Sequence, residues 1–344
     1  MQNILNFLIT KEIGEPPWDY YFLQNLDEKE YPMYLSKIFN YRTGEKLPLK
    51  YDFKIGNRVI DKNKCKTFNQ KIQWIKLYGV TNLMRDCTDK IKVRDYVKEK
   101  IGEEYLKPIL QIIPNDENIL EKGVSTSYKG IKQINNDVST YFDRINFEKL
   151  PNSFVLKCNH GCKWHYIIKE KKFFLNNTKL FQKVRQQITG WLEQSYSIWG
   201  GFESQYKEIE PKILIEPLMR NDINKNVEEI QVYSFSGIPK FSLRIEEGTN
   251  NKTTLHDSNL NIINRVLSWG DENINKPIDN LVNHSFDLSK KLSENFIFVR
   301  IDWMIYQDKL YFEELTFTPY SGFWQFHSKK DNFSFGKLIN LERG

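Results

Sequence analysis

At 344 residues, with 40% hydrophobic and 27% charged residues, the chain is long enough to bury one large core or two to three packed subdomains. Its net charge of +6 comes from 50 basic and 44 acidic residues interspersed along the sequence. That balance argues against a nucleic-acid binder and suits small anionic substrates such as nucleotides or uronic acids. No apolar run approaches the ~18 to 20 residues of a membrane span. The brief apolar stretch at Ile4, Leu5, Phe7, Leu8 and Ile9 lacks the basic flank and cleavage site of a secretory signal. The four cysteines, Cys65, Cys87, Cys158 and Cys162, show no disulfide framework. Together these features point to a cytoplasmic protein.

Residues 1–60 mix aromatics, prolines and charges without a clear period, and no element is assigned to them. The pattern FNQKIQWIKL over 68–77 predicts a helix that groups Ile72, Ile75 and Lys76. A second helix is predicted over 89–101, with a stripe of Ile91, Val93, Tyr96, Val97 and Ile101, Asp89 as its cap and Gly102 as its stop. A strand over 106–113 runs into a polar loop. Residues 153–159 and 165–169 predict a strand pair around a tight loop at Gly161. A long helix over 177–196 and a buried strand over 212–219 follow. Residues 230–245 predict a hairpin turning at Ser236-Gly237, and 281–292 a helix. The last element is a hairpin over 296–318 with its turn at Gln307-Asp308. This order argues for an α+β fold of antiparallel sheets flanked by helices.

Three elements carry candidate chemistry. In the last hairpin, Asp302 and Glu314 lie twelve positions apart, on strands that bring them side by side. Two carboxylates on apolar strands repel one another unless a cation sits between them, and Mg²⁺ with its preference for oxygen is the natural occupant. Thr316 shares their face, because strand side chains repeat every second residue. The same spacing also suits a surface hairpin whose acids face water. Lys157, in FVLKCNHG, follows three apolar strand residues and either meets an anion or reaches solvent from an edge. The loop after it offers backbone N–H groups to a phosphate. Its Cys158, His160, Cys162 and His165 match no usual zinc spacing. Glu216, ending the apolar strand ILIEPLM, marks either a hinge that could meet an adenine edge or an ordinary strand end.

Taken in order, FNQKIQWIKLY, DKIKVRDYVKEKIGEEYLKP, KLPNSFVLKCNHG, ILIEPLM and FVRIDWMIYQDKLYFEELTFTPYSGF resemble the TupA-like ATP-grasp proteins of bacterial surface-polysaccharide loci. The resemblance implies the ATP-grasp fold, two antiparallel-sheet subdomains flanked by helices that grip ATP. It divides the chain into an N-terminal region over 1–85, a subdomain with a phosphate-binding flap over 86–215, and a subdomain with hinge and metal site over 216–344. Asp302 and Glu314 would then be Mg²⁺ ligands, with Thr316 where the superfamily usually has asparagine. Arg300 would face acyl-phosphate oxygens, and Lys157 and Arg94 the phosphates of ATP. Asn159, His160 and Gly161 would belong to the flap, and Glu216, Leu218 and Met219 to the adenine hinge.

Two further departures from the family pattern stand out. Glu229-Ile230-Gln231 occupies the position of an Asp-x-Lys, and the flap holds a single glycine. The implied activity is an ADP-forming carboxylate–amine ligase working through an acyl phosphate. Its carboxylate would be a uronic acid of a capsular or lipopolysaccharide unit, and its amine an amino acid or amino alcohol. A sugar phosphotransferase on the same site and a non-catalytic nucleotide- or glycan-binding protein are the competing readings.

Overall fold

A computed structural model describes residues 26–114 and 138–343, apart from 223, 225, 247, 250, 251 and 269. The apolar stretch within the first ten residues and the polar loop after Ile113 lie outside the described residues. The chain starts with helix α1 (Tyr31–Thr43) and a two-stranded hairpin, β1 (Leu49–Asp52) and β2 (Asn57–Ile60). Helix α2 (Phe68–Tyr78) matches the predicted one. Thr67 and Gln70 close a capping box at its start, and Phe68, Ile72 and Ile75 are buried.

The helix predicted over 89–101 is present but starts four residues later, and a separate helix that the sequence reading did not assign precedes it. Helix α3 (Asn82–Thr88) ends where Asp89 turns extended, and α4 (Val93–Ile101) starts afresh. Asp89 caps neither of them from the N-terminal side; its carboxylate accepts from Ile91 N–H in the turn between them. The strand predicted over 106–113 shortens to β3 (Gln111–Ile113). Pro108 has no N–H to give a ladder, which delays regular pairing.

Strands β4 (Phe154–Cys158) and β5 (His165–Ile168) form the expected pair around Gly161. Helices α5 (Lys171–Asn176) and α6 (Thr178–Leu192) follow, with Asn177 capping α6 through Leu180 N–H. The predicted helix over 177–196 therefore stops short, and a separate turn of helix, α7 (Tyr196–Trp199), comes next. Strand β6 (Ile213–Pro217) completes a four-stranded antiparallel sheet ordered β3-β6-β4-β5. Phe154, Leu156, Ile213 and Ile215 of this sheet pack with Val184 and Ile188 of α6 into a core of their own.

The second sheet contains β7 (Glu228–Phe235), β8 (Ile238–Ile245), β9 (Lys252–Asp257), the short β10 (Ile262–Ile263) and β11 (Glu272–Asn273), and the terminal pair β12 (Phe298–Tyr306) and β13 (Lys309–Thr316). Its order is β10-β9-β8-β7-β12-β13, with β11 pairing β9. Both predicted hairpins are present, and their turns at Ser236-Gly237 and Gln307-Asp308 all have positive φ. Helix α8 (Asn280–Ser293) lies on this sheet through Ser285, Ser289 and Ser293, and Ser289 accepts from Trp303 Nε1 at 2.9 Å. Placing the β12–β13 hairpin at the sheet's edge brings its polar face toward the four-stranded sheet.

The last helix, α9 (Lys329–Leu338), packs against the start of α2 with almost no room. A Cβ on Gly336 would lie 2.3 Å from the Lys66 carbonyl oxygen and 2.8 Å from Phe68 N. In a roomy helix Gly→Ala stabilises by about 0.4 to 1 kcal/mol. Here we expect Gly336→Ala to reverse that sign and destabilise by roughly 1 to 3 kcal/mol, because rigid backbone must shift. Denaturant titration of the variant reads the sign directly; an unchanged or raised midpoint would show that α9 moves freely over α2.

Candidate active site

The polar face of β12–β13 is set by register. Arg300 lies opposite Thr316, and Asp302 opposite Glu314. Arg300 donates from Nε to Asp302 Oδ1 at 2.6 Å and from Nη2 to Oδ2 at 2.5 Å. Thr316 Oγ1 accepts from Arg300 Nη2 at 3.2 Å and lies 3.3 Å from Asp302 Oδ2 and 3.0 Å from Glu314 Oε1. The two carboxylates thus share one face and one hydroxyl. Burial pushes the Asp302 carboxyl up to about 7 against the pull of Arg300, and the charges of Glu314 and Glu229 push the same way. An oxygen-preferring cation would relieve that excess of negative charge, so the donor set fits Mg²⁺. Among the described residues no group of three or more His, Cys, Asp and Glu side chains could hold a metal ion. Two carboxylates and a hydroxyl leave positions for phosphate oxygens, which is how Mg²⁺ is commonly held.

Next to this face the two sheets meet through four charges. Lys157 Nζ lies 2.8 Å from Glu216 Oε2 and 2.9 Å from Glu313 Oε1. Lys107 Nζ lies 3.2 Å from Glu216 Oε2 and also pairs with Glu313. Burial works against the charges of Lys157, Glu216 and Glu313, yet the carboxylates hold the Lys157 ammonium well above its usual range, and the lysines hold Glu216 and Glu313 below theirs. Glu313 reaches across because of a bulge: Asp302 pairs with Glu314 and Trp303 with Phe312, so Glu313 has no partner in the ladder. The cluster borders a narrow cavity of about 20 Å³, which Lys90, Arg94 and Leu214 also line. Four cations against two carboxylates leave this cleft positive, although its volume is about that of one water molecule. Arg94 donates to the Lys107 carbonyl at 2.9 Å, and Lys90 to the Gly161 carbonyl at 2.5 Å.

The side chains of the expected flap residues turn inward. Asn159 is buried; it donates to Asp89 Oδ1 at 3.1 Å and to the Glu210 carbonyl at 2.9 Å, and accepts from Lys212 N–H at 2.7 Å. His160 is buried too, between the Trp191 carbonyl and Asn159 Oδ1. These side chains tie the loop inward, because burying an amide and an imidazole requires partners for them, and leave its backbone N–H groups as what the loop can offer a phosphate. Gly161 is needed where it stands, since a Cβ there would meet the Trp164 ring at 2.3 Å. Glu216 turns its carboxylate to the lysines, while Leu218 and Met219 lie just past the end of β6, half-buried.

Sequence reasoning missed Lys90, Lys107 and Glu313. Lys107 carried a signal, a lysine in the apolar run LKPILQII, much as Lys157 does in FVLKC. A second missed cluster supports the end of β13. Lys76, fully buried, donates to the Ser321 carbonyl and hydroxyl at 2.9 Å, and Gln73 donates to the Ser321 and Gly322 carbonyls. They hold Tyr320, Ser321 and Gly322 in three successive left-handed conformations. Glu203 accepts from Thr318 at 2.8 Å in the same place.

The model of the TupA-like ATP-grasp family matches residues 125–340. The chain belongs to this family. Its fold is the ATP-grasp fold, two sheets, antiparallel except where β11 joins β9, with separate cores facing one another across the charged cleft. No curated protein matches the sequence. Among solved structures, this ATP-grasp chain is similar to D-alanine–D-alanine ligase from Bacillus anthracis, at 14% identity over 70% of this chain and 62% of that one, with a TM-score of 0.38. It is also similar to the Helicobacter pylori D-alanine–D-alanine ligase, at 12% identity over 85% and 77%, TM-score 0.38. A third is D-cycloserine synthetase DcsG, at 10% identity over 74% and 71%, TM-score 0.37. The chain thus spans less than two thirds of the Bacillus anthracis ligase.

Glu313→Gln tests the cleft. The variant leaves Lys107 and Lys157 with one carboxylate between them, and we expect a lower melting temperature. The loss should be smaller than the ~3 to 5 kcal/mol of a fully buried broken pair, because Glu313 is partly exposed. We also expect it to bind ATP more tightly, since phosphate no longer competes with Glu313 for the lysines. Calorimetric titration separates the outcomes: weaker ATP binding in the folded variant would show that Glu313 assists the lysines and does not compete.

Proposed function

We propose that this chain is a Mg²⁺- and ATP-dependent ligase that activates a carboxylate as an acyl phosphate and joins it to an amine. One observation carries the reading. Consecutive residues of β13 serve two adjoining clusters, Glu313 toward the cationic cleft and Glu314 toward Asp302 and Arg300. A triphosphate lying along Lys157, Lys107, Lys90 and Arg94 would bring its terminal phosphate to the carboxylate pair. Asp302, Glu314 and Thr316 would hold Mg²⁺, which when bound neutralises phosphate oxygens. Glu216, Leu218 and Met219 would border the adenine, and the backbone of 159–161 the phosphates. We further propose that the two lobes divide after Pro217, because β6 belongs wholly to the four-stranded sheet and a border at 215/216 would cut it.

The chemistry follows from these placements. The substrate carboxylate attacks the γ-phosphorus and ADP leaves. The amine then attacks the acyl carbon and inorganic phosphate leaves, with the amine's proton lost to solvent or a nearby base. Lys157 and Arg300 offset the charge that builds on the transferring phosphate. Closure of the lobes around the cleft would exclude water, which otherwise hydrolyses acyl phosphates. The resemblance to proteins of surface-polysaccharide loci supports a uronic acid as the carboxylate and an amino acid or amino alcohol as the amine. The need for ATP puts the reaction in the cytoplasm. No helix of the described residues is long and apolar enough to cross a membrane.

The test is ADP release across a panel of uronic acids and sugar-nucleotide uronates, with and without amines. We expect turnover that requires both a carboxylate and an amine. ADP formation with a stable phosphorylated sugar and no need for amine would assign a phosphotransferase instead. Arg300→Lys should keep ATP affinity yet lose on the order of a hundredfold in carboxylate-dependent turnover, as removal of a single transition-state donor does. If Arg300 serves only to pair with Asp302, the variant will melt lower and bind ATP more weakly, with normal turnover of what remains folded.

A further inference from the structure

The chain's charge is unevenly spread. Residues 46–66 hold seven lysines and arginines and two aspartates, a net +5, in a protein whose whole net charge is +6. This segment contains the β1–β2 hairpin, which forms a sheet by itself and joins neither large sheet. Its register runs from Leu49–Ile60 to Asp52–Asn57, leaving the loop 53–56 as its tip. Gly56, with φ +69, lets the tip close by donating to the Asp52 carbonyl at 2.9 Å. The base is fastened: Leu47 and Ile60 are buried, Asp61 N–H donates to the Pro48 carbonyl at 2.7 Å, and Ile60 N–H donates to Tyr78 Oη.

The tip has the opposite character. Phe53 is 90% exposed, well beyond the other large apolar side chains among the described residues, and Tyr51 and Ile55 are half exposed beside it. Tyr51 and Phe53 meet edge to face at 5.0 Å. Lys50, Lys54 and Arg58 are exposed around them. Single exposed apolar residues are ordinary, but an aromatic, an aliphatic and a tyrosine together on a fastened tip are a patch. The patch is too small for a stable protein interface, which needs about 800 Å² per partner. Single-stranded nucleic acid would use the cations and could stack on Tyr51 and Phe53, but it has no use for the exposed aliphatic Ile55. A membrane surface uses both: aromatic and aliphatic side chains enter the boundary between headgroups and acyl chains, while lysines and arginines stay at anionic headgroups.

We propose that the β1–β2 hairpin docks the protein on an anionic lipid surface, with Phe53 and Ile55 inserted and Lys50, Lys54 and Arg58 at the headgroups. The hairpin lies apart from the residues of the nucleotide cleft, so docking is independent of the proposed reaction. Co-sedimentation of the full chain with vesicles of phosphatidylcholine, alone or mixed with phosphatidylglycerol, tests this at low and high salt. We expect binding to the mixed vesicles only, weakened by salt. Phe53→Ser should reduce partitioning by about tenfold, and Lys54→Glu with Arg58→Glu by at least tenfold, since each surface charge is worth about fivefold. Phe53→Trp should restore binding. All variants are at exposed positions and should melt and bind ATP like the parent, so loss of docking is not loss of fold. Failure to bind mixed vesicles, equal binding to neutral ones, or binding indifferent to Phe53→Ser would overturn the proposal. So would lipid-free self-association abolished by Phe53→Ser, which would assign the tip to a second copy of the chain.

Discussion

A lysine or glutamate taken out of water costs several kcal/mol unless a partner of opposite sign meets it in good geometry. The ion cluster in the cleft of this protein joins two of each, and that requirement ties the sheets together. Lys157 and Glu216 sit on neighbouring strands β4 and β6, so the four-stranded sheet supplies a lysine and a carboxylate within 2.8 Å by its own pairing. Lys107, held just before β3, completes the cationic side. Only Glu313 comes from the other lobe. Within this cluster the two sheets are joined by one carboxylate with two lysines, and an anion entering the cleft would compete for the same partners. Lysines kept charged and in place by carboxylates need little reorganisation to take phosphate oxygens in exchange.

The terminal hairpin depends on a similar balance. Asp302 is buried next to Glu314, an arrangement that favours a proton or a cation, and Arg300 supplies a permanent cation through two parallel hydrogen bonds. Holding that geometry requires the strands to stay fixed past Thr316. The strained turn at 320–322 does so only because Gln73 and Lys76 on α2 accept the task of bonding its carbonyls, one helical turn apart on one face. A buried lysine with no role in the cleft is thus explained by the backbone it holds.

Much of this was legible in the sequence. The terminal and central hairpins followed from alternation and turn residues, and Asp302, Glu314 and Thr316 followed from the same period of two. Lys157 was legible because a charge in an apolar strand demands a partner. Lys107 carried the same signal, but Pro108 beside it made the run read as a strand entrance. Where the side chains of Asn159 and His160 go was not legible, because polarity in a loop says nothing of which way the loop folds; here they turn inward and bond to Asp89 and Trp191. Among the described residues before 60, the β1–β2 hairpin showed no period because it leaves its apolar side chains in the open, whereas α1, which buries Leu35, Ile38 and Phe39, did carry a helical spacing that went unassigned.

Glu313 was beyond reach for a definite reason. On a regular strand, neighbours point to opposite faces, so a pair such as Glu313-Glu314 reads as one residue in the site and one outside it. The bulge between Asp302 and Trp303 inserts Glu313 as an unpaired residue and bends the strand locally. Two adjacent glutamates then serve two clusters, one facing the lysines of the opposite lobe and one facing Asp302 across the hairpin. The bulge is what makes the clusters neighbours: without it, the carboxylate pair would be intact but Glu313 would turn away from the cleft. Its effect on the molecule therefore exceeds that of any single side chain in the site, and it leaves no trace in residue type or spacing.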